Sequence, residues 1–570
     1  MKRRLVSAAL CVLVSAMWLS ACAEEDEYSV FGSGAIWSEE NTTGSVESQY
    51  APGTDANGSD AGSAAADEFA YEEKSSYMIY YGALDDRIIQ EAKQYEVVIL
   101  HPKMGNITRD QIQAIRESGT IVLGYIAIGE DLRTAGLTPE QMLQDERFTA
   151  DGTGPRVDPR PAGTFALDDI DPKGIASPGG TGYASYFLDD NDFNGKPDIN
   201  PIFNCAFTNI GDPTWFDALD QMTIDGNDKI PGIREILTDD YGRGLGCDGL
   251  FLDTIDTCAP NSYTDDSSFN KTKFEWTAPG VADFTKRLKE EYPDKLVLQN
   301  RGLFFYNPLL PHYKYNPRPY VDYVMYESYM LDSNSTSLYN EGYYADNRYN
   351  FAPKLIAEAA RPDGFEVLSL GYAEGPEEYH LKETLLGNST DGLDVLLEDM
   401  SAAEYEAGFK HYITDGGVTL VNDFVIHHEN KDDDTPPVWS SVYNDSTTWP
   451  PHEPTPRVGI GQVQPISGGV IVRWDVALDQ NDVIYTLYYQ QEPFDFEADP
   501  KLQKAQAYEL TPEVGDGYVN GVGPDIYPYQ ATVEGLDAGK TYYFVIRARD
   551  DTERQNEDDN TVVLKAKPKK

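Results

Sequence analysis

Several acids and amides in this chain stand directly after short apolar runs. Asp253 follows Gly249-Leu250-Phe251-Leu252, and Asp256 comes three residues later. Glu327 follows the run Val321 to Tyr326, Glu130 follows the run that begins at Ile121, Gln299 and Asn300 end Leu296-Val297-Leu298, and Asp423 follows Val418 to Val421. A continuous apolar run bounded by turn residues is the pattern of a strand buried on both faces. In a closed parallel barrel the C-terminal strand ends share one mouth, which is where such folds keep reactive groups. Two carboxyls facing each other there suit cleavage of a glycosidic bond. One protonates the leaving oxygen, while the other attacks the sugar or activates water. Burial and a neighbouring carboxylate raise one of the two pKa values, so acid and base coexist near neutral pH. The competing assignment for Asp253 is a helix N-cap, a role Asp fills often.

Eight strand-like segments are needed to put those groups on one rim, and eight can be found. They are 77–81, 97–100, 121–126, 249–252, 296–300, 321–326, 367–370 and 418–421. Helical spacing falls between them at 85–93, 108–118, 281–291, 376–386 and 401–411, and Thr108 with Gln111 three residues on forms a capping box. This alternation predicts an α/β fold, a (β/α)₈ TIM barrel over residues 76–426, with a doubly wound sheet as the second choice. The aromatic residues Tyr81, Tyr125 and Tyr372 near strand ends could stack on a sugar ring, although a single aromatic is more often wall than ligand contact.

The third crossover, 131–246, is too long to be a bare loop and should hold folded or functional material. Within it, Asp190, Asp192, Asn194 and Asp198 place oxygens around Gly195 in the manner of a calcium loop, so calcium is a candidate structural ion. Pro201 stands where an EF-hand would have Glu, and a solvated acidic turn is the alternative. Asp212-Pro213-Thr214-Trp215 should start a helix, its Trp either stacking on a sugar or covering the barrel. Gly244-Leu245-Gly246-Cys247-Asp248-Gly249 matches a dinucleotide pattern by letter. It precedes a strand rather than following one, so the match is accidental. No cofactor is required for two-carboxylate chemistry.

Residues 1–21 read as an export signal, with Lys2, Arg3 and Arg4 ahead of a short apolar core. Leu19-Ser20-Ala21-Cys22 resembles a bacterial lipobox, which implies lipidation at Cys22 and a place in the cell envelope, outside the cytoplasm. Residues 22–75 are poor in apolar residues and should be a flexible tether. Cys205, Cys247 and Cys258 leave room for one disulfide, with the pair undetermined. The formal net charge is −51, from 45 basic and 96 acidic residues. Such a balance excludes nucleic acid as a partner and suits a cationic polymer, or else a solubility role.

Residues 427–454 look like a linker, in which His427 and His428 are either solvated or metal-binding. From 455 to 570 the pattern changes to alternating strands, as in 469–474, 485–489 and 540–548. That segment resembles a fibronectin type III domain, an all-β sandwich acting as spacer or adhesion module.

Tyr80-Tyr81-Gly82, the stretch 123–130, the stretch 247–256 and Tyr326-Glu327-Ser328, in that order, resemble glycoside hydrolase family 114. The resemblance spans roughly 76–425 and implies a barrel that hydrolyses α-1,4-linked galactosamine polymers. Carried over by motif, it makes Asp253 the nucleophile and Glu327 the acid/base of a retaining mechanism. Position at strand ends, rather than the resemblance, makes Glu130, Asp256, Gln299, Asn300, Tyr81, Tyr125, Tyr372 and Asp423 substrate-binding candidates. The long third crossover departs from the family pattern. The reading from another class is a non-catalytic carbohydrate-binding or adhesion lipoprotein on the same scaffold.

Overall fold

A computed structural model describes residues 76–570 with breaks, the longer ones at 161–166, 265–271, 333–346, 426–435, 440–458 and 515–526. The export signal, Cys22, the tether, Asp423 and the His427-His428 pair lie outside the described residues. Among the described residues, no helix is long and apolar enough to cross a membrane.

Eight parallel strands form one sheet in sequential order: β1 (Tyr77–Tyr80), β2 (Val97–Leu100), β3 (Ile121–Ala127), β4 (Gly249–Asp253), β5 (Leu296–Asn300), β6 (Tyr323–Glu327), β7 (Glu366–Tyr372) and β8 (Lys410–Thr414). The two ends of the sheet meet where the Tyr77 and Tyr412 rings stand 5.9 Å apart. Helices α1 (Asp86–Ala92), α2 (Arg109–Arg116), α3 (Pro213–Gln221), α4 (Pro279–Glu291), α5 (Ala352–Ala359) and α6 (Leu393–Met400) lie between strands in the chain. The expected (β/α)₈ barrel is therefore what the chain forms. Its strands carry almost nothing but buried residues because both faces are covered, one by the barrel interior and one by the helix layer. Asp85 caps α1 through Ile88 N, and Thr108 with Gln111 makes the full capping box of α2.

The eighth strand is not where the apolar pattern puts it. Lys410–Thr414 pairs with β7, while 418–421 is a turn and loop segment, and the helix expected at 401–411 ends by Tyr405. The polar letters of β8 are each matched by a distant partner. Lys410 bridges Glu96 and Glu366, and His411 lies between Ser369 and Asp399.

The third crossover folds into a cap of its own. A two-residue ladder joins Glu130–Asp131 to Ala206–Phe207, and another joins Arg156–Val157 to Ile175–Ala176. Arg133, nearly buried, holds Asp131 at 2.8 Å and Asp228 at 3.0 Å, tying the two ends of the insertion together. Asp212 caps α3 as expected, and Trp215 is fully buried with its indole N–H on Ile128 O at 2.7 Å. Trp215 is thus a cover for the barrel and not a sugar platform.

The C-terminal segment forms two four-stranded antiparallel sheets. Strands β9 (Ile460–Ile466), β10 (Gly469–Trp474) and β13 (Tyr529–Glu534) belong to one, completed by Glu513–Val514. The other holds β11 (Val483–Gln490), β12 (Gln506–Glu509), β14 (Tyr542–Asp550) and β15 (Leu564–Ala566). Trp474, Leu487, Phe544 and Ile546 fill the core between them. Val438–Trp439, inside the stretch expected to be linker, pairs with Ala477–Leu478, and the Trp439 indole donates to Asp558 at 2.9 Å. The β region therefore recruits chain from before residue 455.

Candidate active site

The site begins with register. Ala127 of β3 lies opposite Asp253, the last residue of β4, and Met325 of β6 lies opposite Asn300, the last residue of β5. Glu327 closes β6 opposite Leu370 of β7. Strand ends fixed in this way bring Asp253, Asn300, Glu327 and Tyr372 to one rim, because a parallel sheet has no freedom to slip without moving every side chain to the other face.

The Asn300 amide nitrogen donates to Asp253 Oδ1 at 2.9 Å and to Glu327 Oε2 at 2.7 Å. Each carboxyl's other oxygen takes a tyrosine hydroxyl: Tyr125 donates to Asp253 Oδ2 at 2.7 Å, and Tyr372 donates to Glu327 Oε1. Asp253, Asn300, Tyr125 and Tyr372 are all buried, and Glu327 is partly so. Burial, reinforced by the charge of Asp253, holds the Glu327 carboxyl above its ordinary range, against smaller downward pulls from Arg301, Tyr372 and Asn300. A carboxyl held above its ordinary range is suited to an acid role.

Asp253 does not cap a helix. The turn that follows it is headed by Thr254 at φ +66°, with no side-chain cap bond. A left-handed backbone is uncommon for a β-branched residue and persists only when its surroundings impose it. Here Thr254 Oγ1 accepts the Gly129 N–H at 2.7 Å and donates to Asp253 O at 2.6 Å. A Cβ on Gly129 would stand 2.2 Å from Thr254 O, so only glycine fits this approach.

The other candidates separate into two groups. Tyr81 is in place, edge-on to Tyr125 at 5.4 Å. Glu130 is 3% exposed and borders a cavity of about 40 Å³ with His101, Tyr125 and Trp215. Asn200 donates to Glu130 Oε1 at 2.7 Å while Oε2 has no hydrogen-bond partner among the described residues, and burial pushes the carboxyl up to about 8. Gln299 and Asp256 are committed elsewhere. The Gln299 amide takes the Tyr306 hydroxyl at 2.9 Å and donates to Arg301 O at 2.7 Å, so it builds the turn after β5. Asp256 holds Arg301 at 2.7 Å and the Gly302 N–H at 3.1 Å.

His101 and Arg301 escaped the sequence reading. His101 directly follows β2, stacks on Tyr125 at 4.3 Å and accepts the Met104 N–H at 3.4 Å. Burial pulls its pKa down to about 3, so it is a neutral wall of the mouth. Applying the strand-end rule to β2 would have found it.

The acidic loop of the third crossover groups its carboxylates differently from the spacing argument. Oxygens of Asp189, Asp192 and Asp198 lie within 4.8 Å of one another. Asp190 is turned away, accepting the Asp158 N–H at 2.9 Å and the Trp276 indole, and Asn194 bonds Asp192 and Lys196. The alternation of acids misleads because the loop backbone, left-handed at Phe193 and Gly195, does not wrap evenly. Cys205, Cys247 and Cys258 are buried free thiols, so none forms the disulfide that their number allowed.

The sequence matches no established family profile and no curated protein. Solved structures with a similar trace include the glycoside hydrolase domain of PelA from Pseudomonas aeruginosa, 16% identical over 61% of this chain and 98% of that one, with a TM-score of 0.34. Aspergillus fumigatus Ega3 in complex with galactosamine is 13% identical over 61% of this chain and 95% of that one, at a TM-score of 0.30. The α-amylase GTA of Geobacillus thermoleovorans, complexed with acarbose, is 10% identical over 84% of this chain and 98% of that one, at 0.31.

Proposed function

We propose that this protein is a retaining glycoside hydrolase acting within an amino-sugar polysaccharide, with Asp253 as nucleophile and Glu327 as acid/base. The single observation that carries the proposal is the shared amide. Two oxygens held by one nitrogen at 2.9 and 2.7 Å are at most 5.6 Å apart. Retaining enzymes keep their carboxyls about 5–5.5 Å apart, and inverting ones need about 6.5–9.5 Å to admit water. Glu327, held above its usual range by burial and Asp253, is the better suited of the two to supply the proton that the leaving oxygen needs. Asp253, held by Tyr125 and Asn300, is the carboxylate that attacks the anomeric carbon in this reading. The second half-reaction reverses the roles: Glu327, now ionised, takes a proton from water as that water attacks the sugar on Asp253.

The charge of −51 supports a cationic polymer of galactosamine type, drawn in by the acidic surface. The lipidated Cys22 and the cell-envelope location belong to the proposal on sequence grounds alone.

The test is reducing-end release from α-1,4-linked galactosamine polymer by the full mature chain. Wild type should release ends, while Asp253→Asn and Glu327→Gln should lose turnover by at least about 10³-fold with unchanged melting curves. Near wild-type rates in either variant would overturn the assignment.

A further inference from the structure

Asp256 and Arg301 form a device that two-carboxylate chemistry does not itself require. Arg301 Nε lies 2.7 Å from Asp256 Oδ2, and the Gly302 N–H donates to Asp256 Oδ1 at 3.1 Å. One carboxylate therefore grips the side chain of one turn residue and the backbone of the next. Arg301 sits at φ +58°, a left-handed backbone uncommon for a residue with a Cβ, and Gly302 follows at φ +65°, where glycine is at ease. A Cβ on Gly302 would meet Ile255 Cγ2 at 2.7 Å and Gln299 Nε2 at 2.8 Å, so the turn is pressed against the segment after Asp253. Gln299 fastens it from the other side through Arg301 O at 2.7 Å.

The turn has two neighbours of consequence. The residue before it is Asn300, whose amide spans the two reactive carboxyls. The Arg301 N–H donates to Met325 O at 3.0 Å, on the strand that ends in Glu327. The guanidinium is thereby brought within electrostatic reach of Glu327, where it opposes the effects of burial and Asp253.

The geometry points to Asp256 as a residue that acts on the acid/base step through Arg301: paired with the guanidinium on the 300–302 turn, it offsets the positive charge that stands beside the strand ending in Glu327. This rests on Glu327 being the acid/base. Neither residue touches the bond that breaks, and the substrate-binding role expected of Asp256 is replaced by this one. Among the described residues, the charged and titratable groups that bear on Glu327 are Asp253 from β4, Arg301 after β5, Tyr372 from β7, and Tyr77 and Tyr81 from β1. Arg301 is the cation of that described set, and Asp256 is its counter-ion.

The two partners of this pair should act in opposite directions on the pH profile. An acid must be protonated, so activity is present below its pKa and is lost as pH rises through it. Removing Arg301 takes away a cation, raises the Glu327 pKa and moves the alkaline limb up. Removing the charge of Asp256 leaves the guanidinium less compensated, which lowers that pKa and moves the limb down. A pair that only supports the turn would cost both variants stability without splitting the limb.

The experiment is the pH dependence of kcat/KM on the galactosamine polymer for the full mature chain, with Arg301→Gln, Asp256→Asn and Glu327→Gln. The expected result is a limb raised by roughly 0.5 pH unit in Arg301→Gln and lowered by roughly as much in Asp256→Asn. Arg301→Lys keeps the charge and should hold the limb near its wild-type place, which guards against a turn that merely unravels. Limbs that move together, or do not move, would overturn this counter-ion role. If Glu327→Gln is inactive while the limbs stay put, only this inference fails. If Glu327→Gln keeps both rate and limb, the acid/base assignment itself fails.

Discussion

Asn300 and Glu327 are joined by a 2.7 Å hydrogen bond from an amide nitrogen that also reaches Asp253 at 2.9 Å. The amide is a spacer as much as a donor. It keeps the nearest oxygens of the two carboxyls within 5.6 Å of each other, and it lowers the cost of placing a charge there.

Asn300→Ala should therefore lower kcat by about 10–100-fold, since hydrogen bonds to charged groups are worth about 1.5–3 kcal/mol. Asn300 ends a strand, so the melting temperature should change little. Initial rates at saturating substrate, read beside a thermal melt, check both halves of this expectation.

Most of the barrel was legible in the sequence, and the exception is instructive. Seven strands are runs of apolar residues because both faces of each are buried, and burial on both faces is what an apolar run records. β8 reads Lys-His-Tyr-Ile-Thr; Lys410 is paired with Glu96 and Glu366, far away in the chain, and His411 is hydrogen-bonded to Ser369 and Asp399. No local pattern announces such partners. The apolar 418–421 segment looked the better strand, yet it gives Tyr81 a backbone acceptor at Val418 instead.

The site divides on the same principle. Asp253, Asn300, Glu327, Tyr125 and Tyr372 could be picked out because their place at strand ends follows from strand positions. The commitments of Gln299 and Asp256 could not, because they depend on a left-handed turn at Arg301 and Gly302 that apolar periodicity does not encode.

Glu130 predicts a pH effect on stability. Burial pushes its carboxyl up to about 8 in the folded protein, from an unfolded value near the ordinary 4.5. For a raised pKa the stabilising contribution is complete below the unfolded value and is lost as pH rises through the folded one. Wild-type stability should thus decline between roughly pH 4.5 and 8 through this group. Glu130→Gln stays neutral and sheds that part of the decline. Melting temperatures of the two proteins from pH 5 to 9 should converge or cross in favour of the variant, and a constant offset would show that Glu130 does not titrate there.

Gly371→Ala tests the buried support behind β7. His411 Nε2 lies 2.7 Å from Asp399 Oδ2, with Ser369 Oγ 2.7 Å from His411 Nδ1, and all three side chains are fully buried. A Cβ at position 371 would stand 2.0 Å from Asp399 Oδ2 and 3.0 Å from His411 Nε2. The helix α6 carrying Asp399 would have to move, and Asp399 Oδ1 would pull away from the Leu331 N–H it accepts at 3.0 Å. The cost should be about 2–4 kcal/mol, from overpacking and a disturbed buried polar pair. Denaturant unfolding measures it, and an unchanged midpoint would show that the strand yields without harm.

The central claim, a covalent two-carboxylate mechanism at Asp253 and Glu327, is tested most directly by the stereochemistry of the first product. Proton NMR during the first turnovers on α-1,4-linked galactosamine polymer resolves the anomeric configuration of the new reducing ends before they equilibrate. The spacing imposed by Asn300 predicts that the α configuration is retained and that the β form appears only later, by mutarotation. Reducing ends released first in the β configuration would contradict it.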